Sequence, residues 1–286
     1  MDPLEELIRA QPGLSLMLAA LGLVVGSFLN LVIHRLPKIM EAQWARDCAE
    51  YRDESLPSEE PLSLAYPGSQ CPHCNTKIKP WQNIPVVSYL VLHGRCASCE
   101  ASISIRYPLV EIITALIWVI CGLSFGVSNA LAGALLLTAV LVTLTAIDLD
   151  HQLLPDSLTL PLLWIGLLLN MMGTFTSLES ALLGAVFGYL SLWSVYWLFK
   201  IVTSKEGMGY GDFKLLAALG AWFGLAALPT IVLLSSLVGA TLGLTLILTG
   251  KQSRETPMPF GPFLAGAGLI HLLYPNALLG WITGGI

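Results

Sequence analysis

Eight apolar stretches set the rhythm of the chain, at roughly 14–33, 108–125, 130–147, 158–175, 180–200, 213–228, 230–249 and 261–283. A helix needs about 20 apolar residues to cross the hydrocarbon core of a bilayer, so each stretch predicts a spanning helix. Pro229 crowds the end of the sixth, and seven spans is the alternative count. One long polar stretch, 34–107, interrupts the pattern between the first and second spans. Its residues 41–60 are acidic and polar, and are expected to be helical or mobile. Residues 66–100 are rich in Pro and Cys and too short to build a core without a staple. The pattern predicts an all-α polytopic membrane protein of about eight transmembrane helices. Its parts are an N-terminal helix (1–33), a cytoplasmic loop (34–107) with a small stapled module at about 66–100, and a seven-helix core (108–286).

Composition agrees. Charged residues are 12% and hydrophobic ones 55% of the 286, with mean hydropathy +0.73, whereas soluble domains carry about 25% charged residues. No basic stripe with interleaved aromatics points to nucleic acid. The start, Met1-Asp2-Pro3-Leu4-Glu5-Glu6, is acidic where a cleavable signal is basic, so the first span is expected to be retained.

Lys and Arg favour the cytoplasmic side. Every one of them except Arg9 falls between spans one and two, five and six, or seven and eight, counting the span margins. With eight spans these segments share one face. The expected orientation therefore has that face in the cytoplasm and both termini in the periplasm.

Ionisable residues in or beside spans are functional candidates, because a charge in hydrocarbon costs roughly 2.5–3.5 kcal/mol on insertion scales. Asp148 closes the third span and Asp212 opens the sixth, inside Gly209-Tyr210-Gly211-Asp212. Both fall at the cytoplasmic end of a helix at similar depth, so packed neighbours can bring the carboxyls together. Two close carboxylates share a proton near neutral pH. One can then activate water while the other donates to a scissile carbonyl. The glycines permit close backbone approach. The plainer alternative is a pair of interfacial aspartates flanking helices. Asp156 follows Pro155 and reads as an N-cap; Asp150 reads as solvated, two residues past the helix end. Glu111, one turn into the second span, reads as an ion-pair partner of nearby cations or a substrate contact.

Cys71-Pro-His-Cys74 and Cys96-Ala-Ser-Cys99 form two C-x2-C knuckles, which fit a tetrahedral zinc site. Redox use and free thiols are the alternatives; a reducing cytoplasm disfavours disulfides. His73 and His93 are then bystanders, and Cys48 and Cys121 are isolated. Gly122-Leu-Ser124-Phe-Gly126 matches a nucleophile-elbow pattern but lacks the preceding strand.

In this order, these residues resemble the type IV prepilin peptidases, the bifunctional leader peptidase/N-methyltransferases of the GxGD class of intramembrane aspartic proteases. The resemblance rests on Gly26–Pro37, the two knuckles, Arg106-Tyr-Pro-Leu-Val-Glu111, Ile147-Asp148 with Leu154-Pro155-Asp156, Gly209–Lys214 and Pro259–Ala265. It implies cleavage of type IV prepilins or type II secretion pseudopilins on the cytoplasmic side of the inner membrane. The basic leader of such a substrate ends in Gly, just before an apolar helix that stays in the membrane. It further implies Asp148 and Asp212 as the catalytic pair, with Gly209, Gly211, Lys214 and Glu111 in supporting motifs. The new N-terminal residue, usually Phe, is then methylated from S-adenosylmethionine. The full cysteine set resembles the longer, bifunctional members. A cation transporter would instead place ionisable residues at the bilayer midplane on broken helices.

Overall fold

The computed structural model describes residues 12–54, 62–205, 207–250 and 258–275. The acidic start, Arg9, Lys251, Arg254 and the end of the eighth predicted span lie outside the described residues. The chain divides into two compact units, Met1–Gly126 and Val127–Ile286.

In the first unit, α1 (Pro12–Tyr51) packs along α3 (Arg106–Phe125). Between them lie a 3-10 turn (Pro80–Asn83) and the short α2 (Val87–Val91). Close packing of the long helices depends on glycine. A Cβ on Gly22 would lie 2.5 Å from the Ala115 Cα, and one on Gly26 2.6 Å from the Glu111 Cα. The first span was expected to stop near 33, but α1 runs on for 40 residues in all. At 1.5 Å per residue that is roughly 60 Å, about twice the hydrocarbon thickness, so its polar C-terminal half extends beyond an apolar layer.

The second unit holds α4 (Asn129–His151), α5 (Asp156–Met171), α6 (Leu178–Thr203), α7 (Tyr210–Phe223), α8 (Leu228–Leu248) and α9 (Gly261–Leu273). Helix α7 is buried on nearly all sides, from Asp212 to Trp222, as expected of a helix that is apolar all round. It packs against α5, α6 and α9. Gly184 and Gly188 of α6 face Gly220 and Leu216 of α7, where side chains would collide with backbone.

All eight predicted stretches contain a helix. Among the described residues, five helical segments are long and apolar enough to cross a membrane: α1, α3, α4, α6 and Leu225–Leu248. The described parts of α5, α7 and α9 are shorter, at 16, 14 and 13 residues. Two boundaries differ from expectation for local reasons. Gly224, at φ 84°, ends α7, and Pro229 opens α8, where its missing N–H costs nothing. Helix α5 stops at Met171 because buried Asn170 caps the turn at residues 172–176. Its Oδ1 accepts from the amides of Phe175 and Thr176 at 3.0 and 3.1 Å. Its Nδ2 donates to the carbonyls of Ala221 and Trp222 at 2.8 and 2.9 Å. The ends of α5 and α7 are thereby joined. Among the described residues there is no β-strand, only two isolated bridges.

Candidate active site

Helix α4 carries a buried stripe, Leu137, Leu141, Leu144 and then Asp148. Helical spacing therefore forces the carboxylate onto the packed face, where Asp148 is only 5% exposed. The helix continues one turn further and closes on Gln152, whose left-handed backbone donates to the Asp148 carbonyl. Asp150 is thus inside the last turn rather than beyond it, on the exposed side.

Asp212 stands in the first turn of α7 and is 7% exposed. Leu154, in the connection after α4, packs on both flanks: a Cβ on Gly211 would meet the Leu154 Cβ at 2.7 Å, and one on Gly261 its Cδ2 at 3.0 Å. Close approach to Leu154 is thus the packing reason for glycine at 211. Gly209 is the N-cap of α7 with an ordinary φ of −80°.

Gly261, at the start of α9, donates its N–H to Asp148 Oδ2 at 3.0 Å. Its segment, Pro259–Ala265, carries part of the family resemblance, but no local pattern in it marks Gly261 as a partner of Asp148. Lys214, one residue beyond Phe213, donates to both oxygens of Asp156 at 2.7 and 2.7 Å. Asp156 is not an N-cap: Pro155 occupies that position without a side-chain bond, and the carboxylate is drawn to Lys214 instead.

In the first unit, Cys71, Cys74, Cys96 and Cys99 place their sulfurs within 4.8 Å of one another. Tetrahedral zinc with bonds of about 2.3 Å separates its sulfur ligands by about 3.8 Å, and Cys71 Sγ and Cys99 Sγ lie 3.8 Å apart. Each knuckle repeats one design. Asn75 and Glu100 turn left-handed, at φ 54° and 57°, and donate to the carbonyls of Cys71 and Cys96 at 2.9 and 3.0 Å. Hydrogen bonding with the hydroxyl and amide of Thr76 holds the Cys74 thiol down at about 6. The Ser98 amide lowers that of Cys96. A four-sulfur shell of this size can hold a zinc ion, which would cross-link the two knuckles. His73 and His93 are outside the cluster.

Glu111, 6% exposed, ties this module to α3. Its Oε2 accepts from the Val86 amide at 2.8 Å. Val86 has φ 58°, a strained value for a β-branched residue. Arg35, noted in the sequence only as a cytoplasmic charge, clamps the carbonyls of Ser63, Leu64 and Pro67 at 3.0, 3.2 and 2.6 Å.

Comparison with known proteins respects the same division. Residues 20–125 match the bacterial peptidase A24 N-terminal domain, and residues 135–244 match the type IV leader peptidase family. A prepilin leader peptidase/N-methyltransferase of Pseudomonas aeruginosa is 56% identical over 259 residues, covering 90% of this chain and 89% of the relative. The chain belongs to the type IV leader peptidase family. Relatives of the same description in Stutzerimonas stutzeri and Aeromonas hydrophila are 53% and 54% identical. They cover 97% and 96% of this chain, and 96% of each relative. No solved structure matches significantly. Within this family chain, the first matched region contains the cysteine cluster and Glu111, and the second contains Asp148 and Asp212. Gly261 lies beyond both.

Proposed function

We propose that the protein is a prepilin leader peptidase/N-methyltransferase of the bacterial inner membrane, and that Asp148 and Asp212 are its catalytic pair. The reading rests on one observation above all: two buried carboxylates on different helices, one held by Gly261 and the other next to Gly211, with both glycines closing on the same Leu154. Burial makes a lone charge expensive, and proximity makes two worse. The stable arrangement at neutral pH is one ionised and one protonated carboxyl. The ionised carboxylate takes a proton from water as its oxygen attacks the carbonyl carbon of the scissile peptide. The protonated one donates to the carbonyl oxygen. Collapse of the tetrahedral intermediate breaks the C–N bond, and the leaving amine takes up the proton.

The substrates are type IV prepilins or type II secretion pseudopilins. Basic residues gather in the sequence segments between spans one and two, five and six, and seven and eight, so that eight-span topology puts cleavage on the cytoplasmic face with both termini periplasmic. Methyl transfer from S-adenosylmethionine to the freed amine is supported by the name of the relatives and by the complete four-cysteine set. Zinc, held by Cys71, Cys74, Cys96 and Cys99, has a structural part.

The test is incubation of the detergent-purified protein with a full-length prepilin and S-adenosylmethionine, then mass measurement of the product. Loss of the leader and gain of one methyl group are expected. An intact substrate overturns the peptidase reading; a cleaved, unmethylated product overturns only the second activity.

A further inference from the structure

The second unit contains an apolar groove that none of its own described segments fills. Its volume is about 430 Å³, and its walls include Leu192 and Val195 of α6, Ser236 and Ala240 of α8, and Met208 and Phe260. The groove exists because α8 is buried only at its start; farther along, Gly239 and Gly243 meet Phe263 and Met258. The buried residues of α8, Leu228, Ile231 and Ser235, all lie in the first two turns or just beyond. The later turns stand away from α6, with small side chains on the facing side.

Position gives the groove its meaning. Phe260 immediately precedes Gly261, whose N–H holds Asp148. Met208 immediately precedes Gly209, the N-cap of the helix that carries Asp212. The groove therefore opens where both segments supporting the acidic pair meet. A chain cut at that pair has to leave the site along some surface, and this groove is an apolar surface that begins there.

We propose that this groove holds the first turns of the apolar helix on the C-terminal side of the substrate's scissile bond. The proposal rests on the peptidase reading above. A prepilin changes character at the cut, from a basic leader to an apolar helix. The leader suits water and the polar loops, whereas the helix needs an apolar wall within the membrane. Methionine also suits this task. Met208 and the neighbouring Met258, also in the lining, are unbranched and adaptable, which fits a surface that accepts several different apolar sequences.

The experiment uses the full-length protein in lipid vesicles with a full-length prepilin. Ala240→Trp fills the groove from an exposed position, and is expected to raise KM at least about tenfold with kcat changed far less, the pattern of lost substrate binding. Leu237→Trp, on an exposed part of α8 outside the groove, is expected to keep the wild-type KM. A benzophenone amino acid at position 240 is expected to cross-link to the apolar helix of the prepilin, which keeps the test decisive if the Trp variant fails to accumulate. Cross-linking only to lipid, or only to other segments of this chain, overturns the proposal. So does an unchanged KM in a well-folded Ala240→Trp protein that cuts prepilin. If the wild-type protein cuts no prepilin under these conditions, the peptidase reading itself falls, and the groove assignment falls with it.

Discussion

The Gly261 amide donates to Asp148 Oδ2 at 3.0 Å, and the same contact leaves no room for a side chain: a Cβ at 261 would lie 2.6 Å from that oxygen. The bond and the missing methyl group are two sides of one requirement. The first turn of α9 comes close enough to hold the carboxylate only because residue 261 is glycine. Gly261→Ala is therefore expected to push Asp148 out of place while leaving the helix itself sound. A displacement of about 1 Å at a reacting group can cost on the order of 100-fold in rate. Gly266→Ala, on the same helix with nothing within 4 Å of the new methyl, is the matched control. Initial rates of prepilin cleavage, normalised to protein level, check the pair. Equal rates in both variants would remove Gly261 from the site.

Lys214 and Asp156 form the second tie near the acidic pair. Their side chains are 28% and 54% exposed, so solvent screens the attraction, and such pairs contribute about 0–1 kcal/mol to stability. Asp156→Asn is expected to keep substantial cleavage activity, down by no more than a few-fold. The reversed pair, Asp156→Lys with Lys214→Asp, is expected to recover what either charge change alone loses. Rates of the four proteins in parallel test it.

These contacts mark the limit of what the chain pattern can reveal. Helices were legible because lipid demands long apolar runs, and the cysteine cluster because ligand spacing is local. Asp148 and Asp212 stood out because charge is rare in such runs. The Gly261–Asp148 bond joins residues 113 apart and the Lys214–Asp156 pair residues 58 apart. No local periodicity records either. Asp156 next to Pro155 looked like a cap because capping is the local use of such a residue. Its actual partner was set by how α5 and α7 pack. The end of α7 was misplaced for a similar reason. Pro229 is the louder signal, but Gly224 makes the turn, with Ser180 and Thr176 packed where its side chain would be.

The cysteine cluster makes a metal prediction. Purified protein is expected to carry about one equivalent of zinc, and Cys71→Ser with Cys74→Ser to carry none. A module this small has little core, so loss of the metal should unfold it. Limited proteolysis is expected to cut the 62–104 region of the double variant and spare it in the wild type. Cleavage of prepilin is expected to fall only in part, because both aspartates belong to the second unit. Full zinc occupancy in the double variant would sink the assignment.

Charge asymmetry predicts the orientation. A reporter fused after Cys99 is expected to read cytoplasm, and one fused after Ile286 periplasm. Alkaline phosphatase and green fluorescent protein fusions, which are active on opposite sides, give the readout. The same side at both points would require one span dropped or added between them, and would make the seven-span count the better one.

The acidic pair carries the most demanding prediction. Asp148→Asn and Asp212→Asn keep the shape of the side chain and remove its charge. Both positions are buried, so removing a charge there should not harm insertion or folding. Neither amide can accept a proton from water or hold the shared one, so each single variant is expected to lose cleavage almost completely. The double variant is expected to be little worse than either single, because groups that act as a unit are not additive. Asp150→Asn, on the exposed side of the same helix turn, is expected to keep substantial activity. The pH profile should be bell-shaped. Activity falls in acid as the ionised carboxylate gains a proton, and falls in base as the shared proton leaves. The two limbs belong to the pair rather than to either residue. Processing of prepilin in membranes, with protein level checked by blot, decides the matter. Near-normal cleavage by a well-expressed Asp148→Asn or Asp212→Asn protein would end the aspartic mechanism as assigned. Loss in Asp150→Asn with Asp148→Asn active would move the first catalytic group two positions along α4, onto a face that does not meet Gly261.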